Sequence, residues 1–207
     1  QTCALPIFLQ AVKEPVEQAA ASYISWEKGV ETAQDAVQGA MDILAERISD
    51  NAVYRTWIRN MTMNKGLLQS AAKDESVKSV YETYYNYEEP VKKAAGHRIL
   101  ALNRGEGEKI LSVKVVPLVD QIVGYLEKQV ITRDNPYTSP VLKTVVKDSY
   151  DRLIGPSVER EIRSEITEKA EEGAIRVFGK NLEQLLMQPP ISGRVVLRSE
   201  EHTSELQ

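Results

Sequence analysis

The sequence predicts a mainly α-helical protein of several helices, with one long helix near its end and one or two short strands. Apolar residues recur every three or four positions over most of the 207 residues. From Pro156 this spacing continues without a break for about 30 residues, which is typical of one long helix. Partial alternation of apolar and polar residues is confined to short stretches near 110–116 and 193–197, which we predict as strands.

Both ends of the chain resemble translated sequencing adapter, so we expect residues 1–7 and 198–207 to be artefacts and exclude them. The exclusion removes Cys3, the single cysteine, and His202, which leaves one histidine, His97. It lowers Lys+Arg from 26 to 25 and Asp+Glu from 30 to 27, so the net charge moves from −4 to −2. A chain this close to neutral lacks an overall basic charge that would indicate nucleic-acid binding.

The first half of the chain contains two predicted helices. Thr32 and Asp35 have the spacing of a capping box ahead of the first helix. Asp50 is the predicted cap of the second helix, which ends at Gly66. The weakly patterned stretch that follows contains or adjoins Tyr81, Tyr84, Tyr85 and Tyr87. Because acidic residues flank these tyrosines, we interpret them as packing residues rather than a stacking platform for bases.

The second half begins with a helix predicted to start at Pro90 and to run to about Arg104, followed by a turn at 105–108. The strand at 110–116 comes next. Two further helices between residues 118 and 153 resemble a helix-turn-helix in outline. The long helix is predicted at about 156–188, and i,i+4 spacing predicts surface ion pairs along it, such as Glu159 with Arg163 and Glu165 with Lys169.

No combination of residues typical of a catalytic site is present. Outside the excluded ends there is no cysteine, which excludes disulfides, thiolate nucleophiles and cysteine-ligated zinc. A Ser-His-Asp arrangement would have a single possible base, His97. We therefore predict no catalytic residue, no metal site and no cofactor, and no apolar run approaches the ~18 residues that span a membrane.

One basic cluster is the candidate binding site: Lys92, Lys93, His97, Arg98 and Arg104. In the predicted helix Lys93, His97 and Arg104 share a face, while Arg98 points elsewhere. Such a stripe fits a phosphate backbone. The alternative is a solvated face whose cations pair with nearby glutamates. A second basic set, on the later helix of the helix-turn-helix outline, consists of Lys143, Lys147 and Arg152.

Several blocks of sequence, in the same order, resemble the Tex family of bacterial transcription accessory proteins. Residues 89–106 (EPVKKAAGHRILALNRGE) are similar to the EP…HR.LA..RGE block of that family. Residues 40–48 (AMDILAERI) are similar to its A.DILAE.I block. Residues 156–166 and 174–190 resemble its long-helix signature.

The resemblance implies a cytoplasmic, multidomain and mainly helical protein that binds nucleic acid chiefly through a C-terminal OB-fold domain. RNA rather than DNA is then the expected partner, with the transcription or translation machinery as a further partner and no membrane. On this basis we expect an N-terminal helical region at 8–88 and a central helical region at 89–190. Residues 191–197 would begin a truncated RNase-H-like domain.

The expected function is that of a non-catalytic scaffold portion of such a protein. Two alternatives stay open at this point. The full protein could be a metal-dependent nuclease whose RNase-H-like site lies outside this chain. The exposed apolar residues of the long helix could instead dock polymerase or the ribosome, as a protein-interaction module does.

Overall fold

The computed structural model describes residues 13–189 together with Ile7, Gln10, Ala11 and Gly193. Within these residues the α-helices are α1 (Val16–Ala20), α2 (Ala33–Ser49), α3 (Ala52–Lys65), α4 (Gly96–Gly107), α5 (Val119–Val130), α6 (Ser139–Asp148) and α7 (Gly155–Leu186). The strands are β1 (Leu67–Ala72), β2 (Asn86–Pro90) and β3 (Leu111–Val116). The predicted fold class, mainly α with a long helix near the end, is therefore confirmed.

Side-chain caps set the starts of α2 and α3. Asp35 N donates to Thr32 Oγ1 at 3.1 Å and Thr32 N donates to Asp35 Oδ2 at 3.0 Å, which is the predicted capping box. The cap of α3 is Asn51, whose Oδ1 accepts from Val53 N at 3.0 Å. The prediction of Asp50 was wrong by one residue, because the backbone of Asp50 still continues the last turn of α2.

The weakly patterned stretch after α3 contributes two strands that the sequence did not predict. β1 pairs antiparallel with both other strands, in the order β2–β1–β3. Leu67 lies opposite Pro90 on one side and opposite Val116 on the other. β3 matches the strand predicted at 110–116. β1 ends in small residues and β2 is mostly polar, so neither shows the alternation that predicts a strand.

The helix predicted from Pro90 begins instead at Gly96. Pro90 is the last residue of β2, Val91–Lys93 form a 3₁₀ turn, and the two alanines that follow are extended. At its other end α4 continues through Gly105, where the sequence predicted a turn. Gly105 serves packing, because a Cβ at this position would lie 2.6 Å from Leu111 Cδ1.

A single hydrophobic cluster joins the sheet, the helices α2 to α6 and the first half of α7. Its largest fully buried side chains are Leu44, Ile58, Leu68, Leu102, Leu111, Ile122, Leu126, Leu142, Ile154 and Ile162. The predicted packing role of the tyrosines is confirmed, because Tyr81 belongs to this cluster and Tyr84, Tyr85 and Tyr87 pack against it. Tyr81 is buried with its hydroxyl 2.8 Å from Glu108 Oε1, and the rings of Tyr84 and Tyr87 meet edge to face at 5.3 Å.

The longest element, α7, has two halves with different surroundings. Its 32 residues span about 48 Å at 1.5 Å per residue. The residues that its first half buries in the core are Val158, Ile162, Ile166 and Ala170. Every residue from 171 to 189 is exposed. The helix continues from α6 through a π-helical segment, Ser149–Ile154, without the break that the sequence suggested.

The strand predicted at 193–197 lies, except for its first residue, outside the described residues. The interpretation of residues 1–7 and 198–207 as adapter translation stays a prediction. Ile7, the one described residue of these two segments, is 4% exposed and packs in the core. Among the described helices, none has both the length and the apolar character required to cross a membrane.

Gly124 provides a test of helix propensity in α5. It lies in the helix interior, and a Cβ there would meet no atom within 4 Å. Because Ala is about 1 kcal/mol more favourable than Gly inside a helix, Gly124→Ala is expected to raise the free energy of unfolding by up to that amount. Urea denaturation measures the change. Gly105→Ala is the matched control and is expected to destabilise the protein through its clash with Leu111; a loss of stability in Gly124→Ala would contradict the prediction.

Candidate nucleic-acid interface

The five predicted site residues do not form one helical stripe. Lys92 and Lys93 lie in the 3₁₀ turn before α4, whereas the other three lie on α4 itself. The prediction that Lys93 and His97 share a helix face is therefore wrong, because extended residues separate them. His97 and Arg104 do share a face of α4, about 10 Å apart along its axis.

Arg98 is engaged within the fold. Its Nη1 donates to Glu89 Oε2 at 2.6 Å and to Tyr87 OH at 3.0 Å. Glu89 is only 9% exposed, so the guanidinium compensates a nearly buried carboxylate. The hydrogen bond with Tyr87 and the charge of Glu89 raise the pKa of Arg98, while burial raises the pKa of Tyr87. Arg98 thus links β2 to α4, and its charge is compensated within the fold.

The side chains of the remaining four residues, Lys92, Lys93, His97 and Arg104, are all exposed. Within the described part of the chain, no hydrogen bond or ion pair occupies their side chains. Arg104 lies near Tyr81, whose pKa is raised by burial and by its bond with Glu108, and the charge of Arg104 opposes this rise. The alternative, in which glutamates neutralise the cluster, holds only for Arg98 among the five. These four residues define the cationic edge of the protein.

The fold brings to this edge two further lysines that no sequence pattern indicated. Lys65 ends α3 directly before Gly66, whose carbonyl accepts from Val91 N at 3.0 Å. Lys169 of α7 and Lys92 both line a cleft between the end of α3, the 3₁₀ turn, the start of α4 and α7. The i,i+4 spacing of Glu165 and Lys169 did predict their ion pair, which is 2.5 Å long. No pattern in the sequence places Lys169 beside a turn that lies so far from it along the chain.

The second predicted basic set is divided in the same way. Lys143 and Lys147 are exposed on α6. Arg152 Nη2 lies 2.9 Å from carboxylate oxygens of both Asp42 and Asp148, so its charge is compensated. Residues 131–138 join α5 to α6, which is longer than the turn of about three or four residues in a DNA-binding helix-turn-helix. This set is therefore the weaker candidate.

The fold and surface define a mainly helical module built on one long helix, with a cationic edge where the sheet meets α4. In the part of the chain that the structure describes, no group of three or more His, Cys, Asp or Glu side chains is placed to hold a metal ion. A family model described as Tex central region-like matches residues 12–178. The chain therefore belongs to the Tex family, as its sequence blocks predicted.

The relatives are much longer than this chain. It is 50% identical over 178 residues to the uncharacterized protein YdcI of Bacillus subtilis, a match covering 84% of this chain and 25% of that protein. It is 31% identical to Protein tex of Bordetella pertussis, over 86% of this chain and 24% of that protein. It is 32% identical to S1 RNA-binding domain-containing protein 1 of Homo sapiens, over 90% of this chain and 20% of that protein. The chain thus spans a quarter or less of these relatives.

Proposed function

We propose that this chain is a non-catalytic helical scaffold portion of a transcription accessory protein that binds nucleic acid, RNA in preference to DNA. Family membership supports this, since one relative is named transcriptional accessory protein Tex and another S1 RNA-binding domain-containing protein 1. Residues 8–88 and 89–190 form its N-terminal and central helical regions, and 191–197 begin the next domain. Most RNA binding then falls to regions outside this chain, and the protein works in the cytoplasm.

The observation that carries the scaffold role is the bare second half of α7. The large apolar side chains of this half, and of Met187 directly after it, are 41–78% exposed: Ile175, Val177, Phe178, Leu182, Leu185, Leu186 and Met187. Soluble monomers rarely expose a contiguous apolar surface of this kind, and such a surface marks a contact site. A helix with one half packed in the core and the other half exposed is suited to connect this module rigidly to a second domain.

The apolar row on this half begins in the core. Positions spaced by four residues are apolar throughout: Val158, Ile162, Ile166, Ala170, Ala174, Phe178, Leu182 and Leu186. At 3.6 residues per turn, each step of four residues moves about 40° around the helix axis. The row therefore winds from the core to a side of α7 that the core does not cover. The nearby charged residues Glu172, Arg176, Lys180 and Glu183 lie on the opposite side, so the second half of α7 is amphipathic.

Photo-crosslinking from this surface tests the scaffold role. A photoreactive residue replacing Leu182 in the complete natural protein is expected to crosslink to a downstream domain of the same polypeptide. The matched control replaces Lys180, which lies on the charged side of the helix, and is expected to crosslink little. Capture of a polymerase or ribosomal protein from position 182 would favour the interaction module instead. Equal crosslinking from both positions would contradict both functions.

The nucleic-acid contact that this stretch contributes is the cationic edge. Because the contact is electrostatic, binding of single-stranded RNA is expected to weaken with salt, with a slope of about −0.7 in log K against log[salt] per phosphate. Filter binding measures this slope with RNA and with DNA of the same sequence. Joint replacement of Lys92, Lys93 and Arg104 by alanine is expected to flatten the slope, while Lys143→Ala with Lys147→Ala should leave it unchanged. Absent or salt-insensitive binding would leave only the scaffold role.

A further inference from the structure

A cleft of about 310 Å³ opens at the cationic edge, where the end of α3, the 3₁₀ turn, the start of α4 and the middle of α7 meet. Its wall is largely apolar, with contributions from Met63, Val91, Ala94, Ile99, Ile166 and Ala170. The exposed side chains of Lys92 and Lys169 also line it. The cleft therefore combines an apolar interior with two cations at its surface.

The charge of this cleft differs from that of its neighbours. No carboxylate lines it. Four other clefts in the described part of the chain each contain at least one carboxylate, including Asp50, Glu106, Glu161 and Asp151 respectively. Lys92 has no partner among the described residues, and Lys169 shares Glu165 with Arg59. The cleft at the cationic edge is thus suited to an anion.

An apolar wall beneath cations fits a ligand that joins an apolar, flat body to an anionic group. Small-molecule pockets begin at about 300 Å³, so this cleft has room for one small ligand unit. We propose that it receives one nucleotide of a single-stranded RNA, with the base against the apolar wall and its phosphate at Lys92 and Lys169. The proposal rests on the proposed RNA-binding function and names where the strand is held.

A strand suits this edge better than a free nucleotide does. Lys93, His97 and Arg104 are exposed, lie outside the cleft, and have no partners within the described residues. A single bound nucleotide would leave these three side chains unused. A strand also carries phosphates beyond the inserted nucleotide, which are available to such side chains, and each phosphate contact adds to affinity.

Fluorescence anisotropy of the 207-residue chain with a labelled single-stranded oligouridine tests the proposal. Ala94→Leu fills the cleft without changing charge, and Lys92→Ala removes an exposed cation. Each is expected to raise the Kd about fivefold or more, against no change in Lys128→Ala, the matched control that removes an exposed lysine from α5. Lys92→Ala is also expected to flatten the salt slope by about 0.7. Circular dichroism shows whether Ala94→Leu is folded. If Ala94→Leu does not fold, Lys92→Ala still tests the proposal, because Lys92 is exposed and its replacement is not expected to disturb the fold.

The outcomes separate this proposal from the function on which it rests. If the chain binds oligouridine and both cleft variants bind it equally well, the cleft proposal is overturned and the RNA-binding function stands. If the unaltered chain does not bind at all, RNA binding by this stretch fails as well. Competition with unlabelled uridine monophosphate distinguishes a site for a nucleotide within an RNA strand from a site for a free nucleotide. Competition at concentrations near the Kd of the strand would show a site for free nucleotides and overturn the assignment to RNA.

Discussion

Ile162→Ala is expected to lower the free energy of unfolding by about 2–5 kcal/mol, whereas Leu186→Ala is expected to change it by less than about 0.5 kcal/mol. Both residues belong to the same row of α7, in which apolar positions recur every four residues. Ile162 is 0% exposed and Leu186 is 75% exposed. Only Ile162→Ala leaves a cavity in a packed core, so burial accounts for the difference.

Urea denaturation followed by circular dichroism measures both variants. Helix propensity cannot explain a large loss in Ile162→Ala, because Ala is more favourable than Ile in a helix. The measurement is repeated at two protein concentrations, since self-association through the exposed row would stabilise the folded chain as concentration rises. If Leu186→Ala loses as much free energy of unfolding as Ile162→Ala does, the second half of α7 is packed against the rest of this chain. That result would contradict the proposed scaffold role.

The long helix was predictable because its signal is local and repeated. Each apolar residue of the row lies four positions from the next, so the spacing from Val158 to Leu186 indicates one helix by itself. The π-helical segment that joins α6 to α7 has no such signal. It depends on which backbone carbonyl each amide reaches, and the spacing of apolar residues does not specify that.

Partners of charged side chains were predictable only where the partner is local. The i,i+4 pair of Glu165 and Lys169 forms as predicted. The i,i+4 pair of Glu159 and Arg163 does not form. Arg163 Nη2 instead lies 2.5 Å from Glu106 Oε2, and Glu159 Oε1 accepts from Val115 N at 2.9 Å. In the folded protein the partners of these two residues lie on α4 and β3. The spacing of residues along α7 gives no information about such distant partners.

The candidate site shows the same limit. Its residue types were visible in the sequence, and four of the five predicted residues have exposed side chains without partners among the described residues. Their arrangement was not visible, because Pro90 ends a strand that pairs with β1 and thus delays the helix until Gly96. A proline at the start of an apparent helical pattern fits either role. The pairing with a distant strand decides between them.

Arg98→Ala is expected to lower the free energy of unfolding, though by less than the removal of one partner from a fully buried ion pair does. The loss arises because Glu89 would keep a nearly buried charge without its cation. The side chain of Arg98 is still 41% exposed, so water screens part of the interaction and reduces the loss. Thermal and urea denaturation measure it, with Lys93→Ala as a control that removes an unpaired, exposed cation from the neighbouring turn.

The double variant Glu89→Gln with Arg98→Ala distinguishes a stranded charge from a simple loss of contacts. Burying an uncharged amide costs less than burying a carboxylate, so the double variant is expected to recover part of the loss. If the double variant recovers none of the lost stability, Arg98 stabilises the protein through the packing of its side chain and not by compensating the charge of Glu89. Residues 89 and 98 bracket the turn that carries Lys92 and Lys93, so their ion pair holds that turn against α4. Arg98→Ala should therefore impair RNA binding only under conditions that unfold it, unlike Lys92→Ala, which should impair binding in a fully folded protein.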